Sequence, residues 1–402
     1  GGNKINRAMA SVANQAAEAV VPQKTSENQG TWDSFFHYYG MIVHQQNMLH
    51  DQVRTGTYKT ACDKNKVDFK GKVVVDVGTG TGILALFAAQ AGARKVYAVE
   101  ASDIAENARA LVKANGYEDI VTVIKGKVED VEIPEKADLI ISEPMGFLLV
   151  HERMLEVFLL AREKWLKPGG KMFPTTGTIF LCPFSDPLLY EERLASASFW
   201  DQNNFYGVDV SVAKERAREE AFAQPVVGYF QPNMLVSSDH VSHILDFSKL
   251  AAKDGLANVV IPFKFTVTKT ALVHGIACWF DVDFLGSEET VVLSTSPFSS
   301  DTHWYQCRLL LPEPIAVNKT QTISGTVTMT ANDYSSYYVE FDINLDGTNI
   351  KQSNTVSLHH QLYHYMSNVE SAYGQGRGDQ KYGEKYEDGI PNPKMKKVSA
   401  GL

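Results

Sequence analysis

The apolar positions change their period twice along this chain. From Trp32 to Thr60, the residues Phe35, Phe36, Tyr39, Met41, Ile42, Met48, Leu49 and Val53 recur at helical spacing. They predict two helices, the second ending near Gly56. A strand–helix alternation follows. "KVVVDVGTGTG" is an apolar strand running into glycines, and "ILALFAAQAG" is a helix stopped by Gly92. "KVYAVEAS" is a second strand, and "DIAENARALVKANG" a helix with Gly116 at its C-cap. "IVTVIKGKVEDV" and "ADLIISEP" continue as strands, Val157 to Trp165 as a helix, and "KPGG" closes the unit.

Beyond about Pro174 the pattern is strand-like: "GTIFLCPF", "VVIPFKFTVT", "LVHGIACWFDVDFL", "TVVLST", "WYQCRLLL", "ISGTVTMTA" and "SYYVEFDINL", with turn signals between them. This predicts a β-rich second domain, a barrel or a sandwich. Residues 185–224 differ: helical patterns flank an aromatic-rich turn, which reads as an insertion projecting from that domain. No internal repeat is found. Residues 1–30 are polar and rich in small residues, predicting a frayed or weakly helical leader. Residues 367–402 carry Gly, Lys, Glu and Tyr with almost no aliphatics, and disorder is expected there. The expected plan is a leader (1–30), helices plus an α/β domain (31–174), a β domain (175–366) and a tail (367–402).

Composition narrows the function classes. The 402 residues are 44% apolar, ample for one or two packed domains. A net charge of −9 argues against nucleic-acid binding across the surface and favours basic protein partners. Cys62, Cys182, Cys278 and Cys307 form no CxxC pair, which argues against a zinc site or disulfide framework and for a reducing compartment. No apolar run reaches membrane-spanning length, and no signal-peptide core stands at the N-terminus. A soluble, intracellular protein without a metal is expected.

Two stretches carry candidate chemistry. Gly78, Gly80 and Gly82 form GxGxG between a strand and a helix, where backbone N–H groups can approach a polar ligand. Glu100 ends the next strand, where a carboxylate can accept from ribose hydroxyls. The dinucleotide pattern GxGxxG is absent, which favours S-adenosylmethionine over NAD. Arg54 could meet that ligand's carboxylate, or simply end a helix in solvent. Glu129 could accept from its adenine amino group, or be one member of an acidic turn. The second stretch is "ISEPMGFLLVHERM", an apolar loop bracketed by Glu143 and Glu152. Either the loop packs and the carboxylates are solvated, or they point together at something cationic.

The chain resembles the protein arginine methyltransferases, most closely the coactivator-associated branch of the type I enzymes. The matching stretches run in family order from about residue 32 to 365: "QQNMLHDQVRTGTY", "VDVGTGTGILALFAAQAGARKVYAVEAS", "ISEPMGFLLVHERMLE", "FPTTGTIFLCPF", "LVHGIACWFDV" and "THWYQ". The resemblance implies a Rossmann-type S-adenosylmethionine-dependent methyltransferase domain before a β-barrel. Residues 185–224 would be an arm forming a head-to-tail homodimer.

It also implies roles. Arginine's guanidinium is planar, cationic and presents five donors in a fixed fork. Glu143 and Glu152 would bind it by charge-assisted hydrogen bonds, with no cation of the chain's own between them. Two close carboxylates raise a pKa, so one glutamate of the empty site would be neutral. His303 and Asp51 correspond to a proton-relay pair. Met48 and Met145 would shape the space around the accepting nitrogen and favour asymmetric dimethylarginine. Phe36, Tyr39, Gln45, Met48, Arg54, Asp76, Lys127, Val128, Glu129 and Met154 fall on cofactor positions, and Tyr39, His303 and Trp304 on the substrate side.

Phe35 and Val157 depart from the family's tyrosine and serine, each removing a polar contact near the cofactor. The branch can carry an extra N-terminal domain; nothing of its size precedes residue 30, so either it is absent or the sequence is a catalytic fragment. "GQGRG" around Arg377 resembles a methylation context, though a solvated linker arginine fits as well. The implied substrates are histone tails, coactivators and RNA-binding proteins in nucleus and cytoplasm. Two rivals remain: a methyltransferase of small molecules or nucleic acid, and a catalytically silent scaffold.

Overall fold

The computed structural model describes residues 35–364; the expected leader, the tail and Arg377 lie outside them. A helical turn at residues 35–39 leads into α1 (Ile42–His50) and α2 (Gln52–Lys64). Asp51 caps α2, accepting the Arg54 backbone N–H at 2.8 Å. Arg54, Tyr58, Ala61 and Cys62 form its buried face at helical spacing. Gly56 was expected near the end of this helix but sits inside it. Nothing packs near that position, so the glycine costs propensity without breaking a contact and the helix continues to Lys64.

After a short α3 (Lys66–Phe69) come β1 (Val73–Val77), α4 (Ile83–Gln90), β2 (Lys95–Glu100), α5 (Ala105–Ala114), β3 (Val121–Lys125), β4 (Ala137–Ser142), α6 (Met154–Trp165) and β5 (Leu166–Phe173). The strands form one parallel sheet in the order β3-β2-β1-β4-β5. Every residue of β1 is buried, as a strand covered on both faces requires. The order reverses beside β1, and ligands of such sheets bind at the carboxyl ends of the strands there. Two details correct the sequence reading. α6 begins at Met154 rather than Val157, and "KPGG" lies within β5 instead of closing the unit.

The remainder is β-rich. One sheet runs β16 (Leu362–Tyr363), β7 (Val226–Gly228), β12 (Gln306–Val317), β10 (Ala271–Leu285), β6 (Thr176–Phe184) and β8 (Val241–Asp246), with β11 (Thr290–Ser294) on β10. The other runs β15 (Lys351–Ser357), β14 (Tyr337–Leu345), β13 (Thr322–Ala331) and β9 (Asn258–Thr266). Together they make a barrel. β9 shows a strict alternation of exposed and buried positions. The inserted arm contains α7 (Pro187–Ala197) and α8 (Lys214–Phe222), joined by 3-10 turns and an aromatic stretch that leaves Phe199, Trp200, Phe205 and Tyr206 exposed. Among the described residues, no helix is long and apolar enough to cross a membrane.

A polar latch joins the two halves. The fully buried Asn65 accepts the backbone N–H groups of Glu288 and Glu289 at 3.0 and 2.9 Å, and donates to the Glu289 carbonyl at 3.0 Å. Beside it, Asp68 accepts both the backbone N–H and the hydroxyl of Ser287. Removing Asn65 strands several hydrogen-bonding groups, at about 1–3 kcal/mol each where water cannot replace the partner. Asn65→Ala is expected to lower the apparent melting temperature by several degrees in a thermal scan. Asn65→Asp keeps the two accepted bonds and should lose less.

Candidate active site

The GxGxG turn opens the cleft. Gly78, Gly80 and Gly82 have φ of +67°, +55° and +87°, which glycine adopts without a Cβ penalty. A side chain on Gly80 would strike Gln45, whose Oε1 lies 2.6 Å from the Cβ position. Glu100 reaches back from the end of β2, accepting Gly80 N–H at 2.9 Å and Ser102 N–H at 2.8 Å. Asp76 is fully buried; burial, offset in part by the Thr79 hydroxyl, pushes its carboxyl up to about 7.

The rim of the cleft comes from the helices and loops around it. Gln45 of α1 donates to the Tyr39 carbonyl at 2.9 Å. Met154 packs its Sδ-methyl 3.4 Å from the Cβ position of Gly78. The Lys127 ammonium lies 5.3 Å from the centre of the Phe36 ring. Val128 is buried, and Glu129 is exposed on the same loop.

The loop between β4 and α6 carries the two glutamates. Leu148, Leu149, Glu152 and Arg153 all have positive φ, from 52° to 72°. Gly146 sits against the returning chain, where a Cβ would lie 2.1 Å from the His151 carbonyl oxygen. Leu148, Leu149 and Val150 are buried, so the apolar run anchors the loop, while Glu143 and Glu152 on either side of it are half-buried. Trp304 fixes it from the barrel, its indole N–H donating to the Met145 carbonyl at 2.8 Å.

The two carboxylates have different partners. Arg54 donates Nε to Glu143 Oε2 at 2.8 Å, and its Nη2 lies 2.8 Å from the same oxygen in an ion pair. The expectation that the pair has no cation of the chain's own is therefore corrected: Glu143 is paired with Arg54. The Tyr39 hydroxyl contacts both oxygens of Glu152 at 2.9 Å. Glu152 keeps a strip of surface open to the cleft but is otherwise surrounded by protein. Burial, opposed by the Tyr39 hydrogen bond and reinforced by the charge of Glu143, pushes it up to about 7. The two carboxyl groups are thus unequal: Glu143 is ion-paired with Arg54, and Glu152 is shifted toward its protonated form.

Asp51 joins the site to the barrel. One oxygen caps α2; the other accepts the His303 backbone N–H at 2.8 Å and meets His303 Nδ1 at 2.7 Å. Burial raises the Asp51 carboxyl, but these donors outweigh it and hold the group below its ordinary value. Sequence reasoning missed Tyr58, whose hydroxyl donates to the Ser142 carbonyl at 2.7 Å and lies 3.7 Å from the Met145 sulfur. Its position four residues after Arg54 places both on one helix face, which was a usable signal.

The chain is similar to known proteins in sequence and fold. A family model described as the arginine methyltransferase oligomerization subdomain matches residues 175–366, and one described as a methyltransferase domain matches residues 74–170. The chain is 47% identical over 348 residues to histone-arginine methyltransferase CARMER of Drosophila persimilis and to the probable enzyme of that name in Drosophila melanogaster. Those alignments cover 87% of this chain and 65% of each relative, so the chain spans just under two-thirds of their length. Among solved structures, it resembles the Trypanosoma brucei PRMT1 enzyme–prozyme heterotetrameric complex with AdoHcy at 33% identity and a TM-score of 0.73. It also resembles Arabidopsis thaliana protein arginine methyltransferase 10 at 33% identity and a TM-score of 0.72. Each match covers 80% of this chain and 99% of that one. The chain belongs to the protein arginine methyltransferase family.

Proposed function

We propose that this protein transfers methyl groups from S-adenosylmethionine to arginine side chains of proteins, giving mono- and asymmetric dimethylarginine. The observation that carries this reading is the unequal carboxylate pair: Glu152, pushed up to about 7, and Glu143, paired with Arg54, on one strained loop. A guanidinium can bridge two such carboxylates, leaving one terminal nitrogen to face the cofactor. The histone-directed relatives support a basic protein substrate, and the trypanosome complex with AdoHcy supports the cofactor.

The residues fit that cofactor. A carboxylate accepts about four hydrogen bonds. Glu100 uses its two oxygens on one backbone N–H each, leaving lone pairs for two ribose hydroxyls. Gly78, Gly80 and Gly82 admit close approach, while Met154, Val128 and Glu129 border the adenine side. Gln45, Phe36 and Arg54 border the amino-acid side. When bound, S-adenosylmethionine supplies an electrophilic methyl on a sulfonium.

The chain's own groups orient the acceptor and exclude water. Glu143 and Glu152 hold the guanidinium fork, and Tyr39 fixes Glu152. Met48 and Met145 limit the space around the accepting nitrogen, supporting asymmetric dimethylation. His303, oriented by Asp51, serves as proton acceptor, as a tie between the two domains, or as both; the Asp51 contact supports either role. Substrates are proposed to be histone tails, coactivators and RNA-binding proteins, in nucleus and cytoplasm. The exposed aromatic arm is an aggregation liability if left bare, which supports a homodimer.

Glu152→Gln should abolish methyl transfer to an arginine-rich peptide while leaving AdoHcy affinity within about twofold; surviving transfer would remove the role given to this loop. Arginine binding drives Glu152 to its ionised form. At pH 7, where the free carboxyl is about half protonated, peptide binding should release about half a proton, and in Glu152→Gln none. Calorimetry in buffers of different ionisation enthalpy reads this directly. Mass spectrometry of the dimethylated product should find the asymmetric form; a symmetric product would refute the reading of the two methionines. Sedimentation velocity should show a dimer, converted to monomer by Trp200→Glu together with Tyr206→Glu; an active wild-type monomer would refute the arm's role.

A further inference from the structure

Glu152 and Arg153 occupy left-handed backbone at φ of 72° and 56°, a conformation that costs a non-glycine residue about 1–2 kcal/mol. Something outside the loop must hold them there. The residues on either side of Glu152 both reach the same hairpin of the barrel, residues 332–336. Arg153 donates to the Asn332 carbonyl at 3.0 Å and grips Glu156 with two nitrogens at 2.8 and 2.9 Å. His151 places Nδ1 2.9 Å from the Ser336 hydroxyl. Its other nitrogen, Nε2, meets the side-chain amide of Gln361 at 2.7 Å. Phe147 stacks on the ring at a centroid distance of 5.9 Å.

These partners are themselves fixed. Asn332 Oδ1 accepts the backbone N–H groups of Tyr334 and Ser336 at 3.0 and 3.1 Å. Around Gln361, Leu358 donates to the Tyr337 carbonyl and Leu362 to the Pro225 carbonyl, both at 2.9 Å. The C-terminal strap is thereby stitched to the barrel on both sides of the glutamine. Burial, helped by His359, pushes His151 down to about 4, so its ring is neutral near pH 7. A neutral ring has one donor and one acceptor nitrogen, and one hydrogen-bonding partner stands at each.

From this geometry we infer that His151 is a positioning residue: Ser336 and Gln361 clamp its two ring nitrogens, and through it the barrel and the C-terminal strap set the aim of Glu152. The inference rests on the role proposed for Glu152 and adds residues from outside the loop. A mispositioned carboxylate loses turnover more than cofactor binding, because most of the proposed cofactor contacts, the GxGxG turn, Glu100 and Gln45 among them, lie on other elements.

The test is a mutant cycle on the whole chain, measuring kcat, AdoHcy affinity and melting temperature. Ser336→Ala and Gln361→Leu should each lower kcat, and together by about tenfold to a hundredfold, with AdoHcy affinity within about twofold of wild type. Because both act through one ring, they should lower kcat no further in a His151→Ala background. Unchanged kcat in the Ser336→Ala, Gln361→Leu double variant overturns the inference. So do fully additive losses, or losses of kcat that track AdoHcy affinity and melting temperature. Glu152→Gln, run alongside, separates the two proposals. If it retains turnover, the role of Glu152 fails; if it is inactive while the clamp variants are unaffected, only the clamp fails.

Discussion

The site depends on one carboxylate that serves two halves of the protein. Asp51 has two oxygens and divides them. One caps α2, which carries Arg54 to Glu143 and the buried Tyr58 to the Ser142 carbonyl; the other holds both the backbone and the ring of His303 on the barrel. A histidine alone would leave the barrel loop free to drift, and a cap alone would leave α2 indifferent to the barrel. The shared carboxylate makes helix start and loop position one constraint. The Asn65 latch repeats the principle at the other end of the same helix, so α2 is fixed to the barrel at both termini. Trp304, next to His303, then carries that register into the glutamate loop through the Met145 carbonyl.

The charge balance of the cleft follows from this scaffold. Two bare carboxylates facing one another would repel, and burial would worsen the cost. The protein divides the problem. Arg54 offsets Glu143, while burial shifts Glu152 up to about 7, so it is only partly ionised beside the tyrosine hydroxyl. The resting cleft therefore carries less negative charge than its sequence suggests. In the proposed function, a cationic side chain entering it would complete the ionisation of Glu152 and give a second anionic partner. Arg54 sits where it touches Glu143 and, through Nη1, the Met48 carbonyl at 3.5 Å. Its guanidinium thus ties α1 to the glutamate loop.

Much of the fold was legible because its signals are local. The strand ending in "GTGTG" and the alternation in β9 follow from hydrophobic period and glycine spacing. β15 ("KQSNTVS") was not legible, since it is polar and takes its strand form from pairing with β14. "KPGG" reads as a turn by composition, yet the parallel pairing with β4 draws it into β5. The site's residues were named largely through the family resemblance, because their partners are remote. Asp51 and His303 stand 252 positions apart, and Arg54 and Glu143 stand 89 apart. No periodicity links such pairs, so Arg54 was assigned to the cofactor and its bond to Glu143 was missed. Phe35 makes ring contacts with Phe36 and Tyr39, at centroid distances of 5.7 and 4.7 Å, which help to pack the helical turn that carries Tyr39.

The apolar centre of the glutamate loop has a physical reason beyond filling space. Four non-glycine residues at positive φ within six positions cost about 1–2 kcal/mol each. Leu148, Leu149 and Val150 are 3%, 0% and 1% exposed, and burying each aliphatic side chain contributes roughly 1.5–3 kcal/mol. The two effects are of the same order, so the anchor can sustain the strain. A polar loop of the same length would relax, and the carboxylates would turn to solvent. Strain of this kind is useful because it removes alternatives: with both sides of Glu152 tied to the barrel and the residues before it buried, the side chain has one direction left, into the cleft. The same logic explains why the glutamates are joined by hydrophobic residues rather than by a flexible polar linker. An arginine fork needs two acceptors whose separation does not fluctuate.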